Sequence, residues 1–249
     1  MKLAGITTAL VLFIMVGMAQ ASLITIGTAT YDGSECNLIW DDNNNGNSVI
    51  WLDYSNSTDA QTAQSQIAWA TGLDLSLTYN IDPTYSVNWT DSAWRLPTTV
   101  DGKQVQGYEG DPDNDGVYTY TSGYNLANSE MGHLFYVELG NPGSLDISNQ
   151  SVSPDGLLNT GDFENLIETA YWSGTSYQGD WSNAWDFFMS SGYQGTGIPQ
   201  NFLTEGGGVA LAIRSGQVQV NATVPAPEPA TLLLLGFGLI GLAGLRRKV

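Results

Sequence analysis

Long apolar runs occur only at the two ends of this chain, so any globular body must fold from the sequence between them, about Ser22 to Val224. The N-terminus reads Met1-Lys2-Leu3, an uncharged and mostly apolar run from Ala4 to Met18, then Ala19-Gln20-Ala21. One cation, a short apolar core and a small-x-small site predict a secretory signal peptide, cleaved after Ala21. The C-terminus reads Val224-Pro225-Ala226-Pro227-Glu228-Pro229-Ala230, an apolar stretch from Thr231 to Leu245, and Arg246-Arg247-Lys248. Prolines preset an extended backbone and cannot enter a helix interior, so a helix here begins at or after Pro229. As a helix, Ala230 to Leu245 would cover roughly 24 Å, short of the about 30 Å hydrocarbon core of a bilayer. The basic cluster behind it should stay cytoplasmic, which leaves the preceding chain outside.

Pro227-Glu228-Pro229, the apolar segment and the Arg246-Arg247 cluster stand in that order and together resemble the PEP-CTERM sorting signal of Gram-negative bacteria. The resemblance implies an exosortase as processing partner and a transient inner-membrane anchor through the C-terminal helix. It also implies an extracellular or cell-surface destination. A plain C-terminal anchor is the alternative, and it too leaves the body outside the cytoplasm. The expected organisation is a signal peptide over 1–21, a folded domain over 22–220, a linker with the Pro-Glu-Pro motif over 221–229, and a sorting helix with basic tail over 230–249.

The ends also hide the charge of the body. Four of the seven Lys and Arg lie in them, as does one of the 25 acids, Glu228, so the body carries a net charge of −21. Such a surface repels nucleic acid and anionic lipid and attracts cations, so no nucleic-acid partner is expected. The body is nevertheless rich in Trp, Tyr and Phe and carries periodic apolar segments, which argues for one folded domain with long loops. Cys36 is the only cysteine, so no internal disulfide can form, and a small core residue is the expected role. His133 is the only histidine, which excludes a His-rich zinc site.

Ala29 to Trp40 and Ser48 to Tyr54 predict a strand pair around the polar turn Asp41-Asp42-Asn43-Asn44-Asn45-Gly46. From Ser57 the pattern changes to helix, with Ser57 or Thr58 as cap, an apolar stripe of Ala60, Ala63, Ile67 and Ala70, and Gly72 as terminator. A second helix is predicted over Ser129–Leu139, with Met131, Leu134 and Phe135 inward and Gly140 and Pro142 as stops. A third, shorter one would use Phe163, Leu166, Ile167 and Ala170. Tyr171-Trp172-Ser173, Ala184 to Met189 and Val209 to Arg214 return to strand. The expected class is α+β, a small, mostly antiparallel sheet with two or three helices and long loops.

Several motifs in the body look like the Lcl C-terminal domain family. They are Asn37-Leu38-Ile39-Trp40, Val49-Ile50-Trp51-Leu52-Asp53-Tyr54, Trp94-Arg95-Leu96-Pro97-Thr98, Ser129-Glu130-Met131-Gly132-His133-Leu134, Tyr171-Trp172-Ser173-Gly174-Thr175 and Ala212-Ile213-Arg214-Ser215-Gly216. That family is similar in fold to C-type lectins, and some members bind glycosaminoglycans or act as adhesins. The resemblance therefore implies a C-type-lectin-like fold. A strongly acidic body is a poor match for a sulfated polysaccharide, however. Arg95 and Arg214 fall inside the framework motifs and are expected to pair with buried acids.

Two segments carry candidate chemistry. Gly110-Asp111-Pro112-Asp113-Asn114-Asp115-Gly116 places Asp at alternate positions before Gly, as in the first half of an EF-hand loop, and makes Asp111, Asp113 and Asp115 candidate calcium ligands. The twelfth position is Ser122 rather than Glu, so the full motif fails, and a solvated acidic loop is the alternative. Asp41, Asn43, Asn45 and Gly46 repeat the spacing more weakly. Tyr177, Asp180, Trp181 and Asn183, with Trp185 nearby, form a candidate glycan platform, the alternative being that Trp185 is core and Trp181 a loop anchor. Acids are abundant, but no pair stands out as a glycosidase dyad. The expected function is non-enzymatic adhesion or association with exopolysaccharide or a host or matrix glycan, with calcium as candidate cofactor. The alternatives are a structural matrix protein without a discrete ligand site and a carboxylate-dependent glycoside hydrolase.

Overall fold

The computed structural model describes residues 23–57, 62–91, 93–102, 105–109, 120–197 and 208–221, with only the backbone at Trp181 and Ser182. Three long strands open it: β1 (Leu23–Tyr31), β2 (Ser34–Asn44) and β3 (Asn47–Asn56), paired as an antiparallel meander. The β2–β3 turn is only Asn45-Gly46, with φ 49° and 82°, because β2 runs on through Asn44 into the polar turn expected over Asp41–Gly46. Positive φ at both central residues gives the turn that matches strand twist. Asp32-Gly33 does the same between β1 and β2. The single strand expected over Ala29–Trp40 is therefore the end of one strand and most of the next.

Helix α1 (Ala63–Ser76) follows, capped by Thr62, whose Oγ1 accepts from the Ser65 amide at 3.2 Å. It starts later than Ser57 or Thr58 because β3 extends through Asn56, and Thr58 and Ala60 lie outside the described residues. Gly72 does not end it, and the Leu77 N–H still bonds Leu73 O at 2.8 Å. Next come β4 (Thr78–Ile81) and β5 (Tyr85–Trp89), and β11 (Ala210–Val220) closes the described chain.

These strands form a six-stranded sheet in the order β4-β1-β2-β3-β11-β5. β4 and β5 are consecutive in sequence yet occupy its opposite edges. The steps from Ile81 to Tyr85 span at most about 14 Å, so the two edges must lie close and the sheet curls nearly onto itself. The rings of Tyr79 on β4 and Trp89 on β5 meet across that closure with centroids 5.7 Å apart. Ile26, Leu38, Ile50, Leu52, Trp94 and Ala212 fill one face, together with Ala63, Ala70 and Leu73 of α1. Ile39, Trp51, Leu211 and Ile213 point the other way into a second core. Burial on both faces is why Val49–Leu52 and Ala210–Ile213 read as continuous apolar runs.

The second sheet has the order β6-β7-β10-β9-β8, built from β6 (Gln106–Gly107), β7 (Ser122–Gly123), β8 (Ala170–Tyr177), β9 (Asp180–Phe188) and β10 (Tyr193–Gly197). It joins the first where the Trp172 N–H bonds Val209 O and the Val209 N–H bonds Ala170 O, each at 3.0 Å. Helix α2 (Glu130–His133) runs into a π-helical turn, Leu134–Glu138, and Met131, Leu134 and Phe135 pack into the second core. Ser129 caps it, its Oγ accepting from the Gly132 amide at 2.9 Å, and Gly140 follows at φ 63°.

The expected α+β, C-type-lectin-like architecture is therefore incorrect. The described residues are mostly β, two sheets of six and five strands with two short helical segments. Part of the error is the third helix, which does not form. Buried Asp53 accepts from the amides of Glu164 at 2.8 Å and Asn165 at 3.0 Å, and Tyr171 Oη accepts from the Ile167 amide at 2.9 Å. Asp53 thus anchors the start of this segment to β3, and Tyr171 takes the Ile167 N–H that a helix begun at Phe163 would have bonded to Phe163 O. Phe163 and Leu166 are still buried, as the apolar pattern required.

Candidate functional site

Three Gly-Tyr dipeptides occur in the chain, at 107–108, 123–124 and 192–193, and the fold brings all three together. β6 and β7 pair in parallel with Gly107 opposite Gly123. A Cβ at Gly123, where φ is 124°, would sit 1.8 Å from Gly107 O, and one at Gly107 would sit 2.2 Å from the Tyr120 ring. Only glycine permits this approach. It sets the following residues, Tyr108 and Tyr124, side by side, with rings stacked at 6.4 Å and 5°. Tyr124 meets Tyr193 edge to face at 5.3 Å and 64°, and Tyr193 meets Phe188, its register partner on β9, at 6.1 Å and 65°.

The result is a ladder of four half-buried rings beside a solvent-open cleft of about 320 Å³ lined by Tyr124, Phe188, Ser191 and Tyr193. Its frame is held by polar contacts. Tyr193 Oη donates to Gln106 Oε1 at 3.2 Å, and Asn125 Nδ2 donates to Tyr108 O at 2.8 Å and Leu145 O at 2.9 Å. Burial raises the Tyr124 phenol above its ordinary pKa, with Tyr108 and the negative charge of Asp155 adding to the effect. Apolar ring faces with hydroxyls at their edges, on rigid strands, suit a ligand with one apolar face and a polar perimeter.

The platform anticipated in β8–β9 sits elsewhere on this sheet. Tyr177 and Asp180 are register partners at the tip of that hairpin. Asn183 is half-buried, and its Oδ1 lacks a hydrogen-bond partner. The Trp181 side chain lies outside the described residues. Trp185 is fully buried, edge-on to Tyr177 at 5.8 Å, and its Nε1 donates to Asp101 Oδ1 at 3.1 Å, so it is core.

Asp111, Asp113, Asp115 and Lys103 lie outside the described residues, as do Ala19 and Ala21 of the signal and Pro227, Glu228, Pro229, Arg246 and Arg247 of the tail. The weaker repeat at Asp41 is occupied internally. Asp41 is fully buried and accepts from Asn44 Nδ2 at 2.9 Å and Trp51 Nε1 at 3.2 Å, while Asn45 Nδ2 donates to Ser129 O at 3.2 Å. Among the described residues no group of three or more His, Cys, Asp or Glu is arranged to hold a metal ion, and no helix is long and apolar enough to cross a membrane.

Both arginines pair with acids, but only Glu130 is buried as expected, while Asp74 is partly exposed. Arg95 forks onto Glu130 at 2.6 and 2.7 Å, and Arg214 contacts Asp74 at 2.5 Å and lies 4.7 Å above the centre of the Trp89 ring. His133 is largely buried, with its Nε2 3.1 Å from Glu138 Oε1. Burial lowers its pKa, while Asp41 and a backbone contact to Asn43 oppose the shift. Burial, with the charges of Asp41 and Asp42, pushes Glu138 up to about 7, and its Oε2 is buried without a partner. Cys36 is buried, and that burial raises its thiol pKa.

Residues 225–248 match the PEP-CTERM protein-sorting motif. No curated protein and no solved structure is significantly similar to the chain, so the likeness to the Lcl and C-type-lectin families has no support beyond the short motifs. The sorting motif marks an exported surface protein of a Gram-negative bacterium, processed by an exosortase.

Proposed function

We propose that the exported body binds polysaccharide at the cell surface or in the extracellular matrix without chemically altering it, through the tyrosine cleft. The observation that carries this reading is the convergence of three Gly-Tyr dipeptides into one ring ladder beside an open cleft. Sugar rings present C–H faces that pack on aromatic rings and hydroxyls that exchange hydrogen bonds around the edge. Export puts the cleft where such polymers are. Its described lining, Tyr124, Phe188, Ser191 and Tyr193, offers ring faces and hydroxyls, which suit holding a sugar.

The test is affinity electrophoresis of the protein as exported against the exopolysaccharide of the producing bacterium, with salt varied. Saturable retention that survives 0.5 M salt is expected, since contacts of this kind are not Coulombic. Retention that vanishes with salt would favour a structural matrix protein, and release of reducing sugar would favour a hydrolase. Calcium stays part of this reading at Asp111, Asp113 and Asp115. A calorimetric titration with no saturable heat, or with the same heat in Asp113→Ala, removes it.

A further inference from the structure

We infer that the tyrosine cleft selects an uncharged sugar ring and discriminates against uronic and sulfated sugars, an inference that rests on the polysaccharide reading above. Its geometry is a corner. Tyr124 and Tyr193 stand at 64° to each other with centroids 5.3 Å apart, so one offers a floor and the other a wall. Tyr108 lies parallel to Tyr124 and extends the aromatic surface, and Phe188 extends the wall. At about 320 Å³ the cleft is at the lower end of the roughly 300–1,000 Å³ range of small-molecule sites, so it engages a short stretch of a polymer rather than a long one.

Charge decides the class of sugar. The described residues contain two arginines, and both are engaged away from the cleft, Arg95 with Glu130 and Arg214 with Asp74. No described lysine or arginine lines the cleft. The Tyr124 phenol feels the negative charge of Asp155, whose carboxylate accepts from Ser144 Oγ. A carboxylate or sulfate brought here would lose the strong hydration of an ion, meet no cation among the described lining residues and approach a body of net charge −21. An uncharged ring loses only the weaker hydration of its hydroxyls and meets no Coulombic repulsion. Its hydroxyls find Ser191 and the tyrosine hydroxyls at the rim.

The experiment is calorimetric titration of the protein as exported with two sets of probes. Cellohexaose, laminarihexaose and mannohexaose form the neutral set, and hexagalacturonate and a heparin hexasaccharide the acidic set. Tyr124→Ala and Tyr193→Ala remove the corner, and Tyr124→Phe keeps the ring as a control for folding. At least one neutral probe should bind tenfold or more tighter than either acidic probe. That binding should fall tenfold or more in both alanine variants and stay within threefold in Tyr124→Phe. Acidic probes that bind as tightly, and lose binding in the alanine variants, would overturn the selectivity and leave polysaccharide binding intact. Neutral binding unchanged in both alanine variants would overturn the placement in this cleft. If the bacterium's own polysaccharide binds but no neutral probe does, the inference fails alone. If neither binds, the functional reading fails with it.

Discussion

Two carboxylate side chains with little exposure, Glu130 and Glu138, stand at the two ends of one helical segment, and the fold treats them in opposite ways. Glu130 receives both arms of Arg95 and the amide and hydroxyl of Thr98, the last two at 2.6 and 3.0 Å. Its backbone oxygen takes Asn44 Nδ2 at 3.2 Å. Because Arg95 also bridges to Ile213 on β11, this one side chain ties α2 to the six-stranded sheet. Glu138 has His133 on one oxygen, nothing on the other, and the charges of Asp41 and Asp42 nearby. A fully satisfied network fixes a structure, whereas a partly satisfied one favours keeping a proton. The first carboxylate therefore pins the fold, and the second makes its stability respond to pH.

The comparison is broken most directly at Glu130. Glu130→Ala leaves Arg95 without its bidentate partner and two Thr98 donors unpaired. A loss of about 3 kcal/mol is expected, read as a shift of the urea midpoint at pH 7. A loss below about 1 kcal/mol would mean that the pair is not the pin argued here.

Glu138 is tested through pH. Its folded pKa of about 7 lies above the ordinary 4.5, so the folded state holds more protons than the unfolded one between those values. Its stabilising contribution is complete below about pH 4.5 and is lost as pH rises through 7. Asp186, buried and pushed up to about 7, acts in the same sense. His133, with its pKa lowered, acts oppositely, contributing above 6.5 and losing that contribution as pH falls. The urea midpoint should therefore fall from pH 5 to pH 8. Glu138→Gln should flatten this slope and be more stable than the wild type at pH 8 by about 2 kcal/mol. Parallel pH profiles for the two proteins would remove Glu138 as the cause.

Asp53 is the intermediate case, a buried acid with no cation but with N–H donors from Glu164 and Asn165. Burial raises its pKa while those donors lower it, and the net shift is upward. Asp53→Asn keeps one acceptor and loses the other, so a cost of about 1 kcal/mol is expected, with faster amide exchange confined to residues 163–169. Exchange that quickens across the whole sheet would show that Asp53 acts globally.

Asp53 also marks where the sequence stopped being readable. The Asn45-Gly46 turn, the Ser129 cap, the Gly140 stop and the apolar runs of β3 and β11 follow from local chemistry, and all stand where that chemistry puts them. The arginine pairings were expected from the place of Arg95 and Arg214 in the resembled motifs, though the exposure of Asp74 was not. The loop at 163–169 has a helical apolar pattern, but it is held in another shape by contacts with Tyr171 and with an acid 111 residues earlier in the chain. The closure that puts β4 and β5 at opposite edges is likewise non-local. The tyrosine cleft was half legible. Its Gly-Tyr repeats are plain in the sequence, but their convergence depends on a parallel pairing of two-residue strands that no periodicity can signal.

The smallest effect should come from the exposed side of the Glu130 network. Arg95 Nε lies 3.5 Å from Asp91 Oδ2, and both side chains are about a third exposed. Solvent screens such a pair, and the Glu130 fork already fixes the guanidinium. Asp91 Oδ2 also accepts from the Ser215 amide at 3.0 Å, a role an asparagine oxygen can take over. Asp91→Asn should thus cost less than about 1 kcal/mol, and the cost should shrink further in 1 M salt. A double mutant with Glu130→Ala separates the two contacts. If the effect of Asp91→Asn grows once Glu130 is gone, Asp91 is a reserve partner for Arg95, and the pin is a three-residue network. If it is unchanged, the division between a carboxylate that holds the fold and its solvent-facing neighbour stands as drawn.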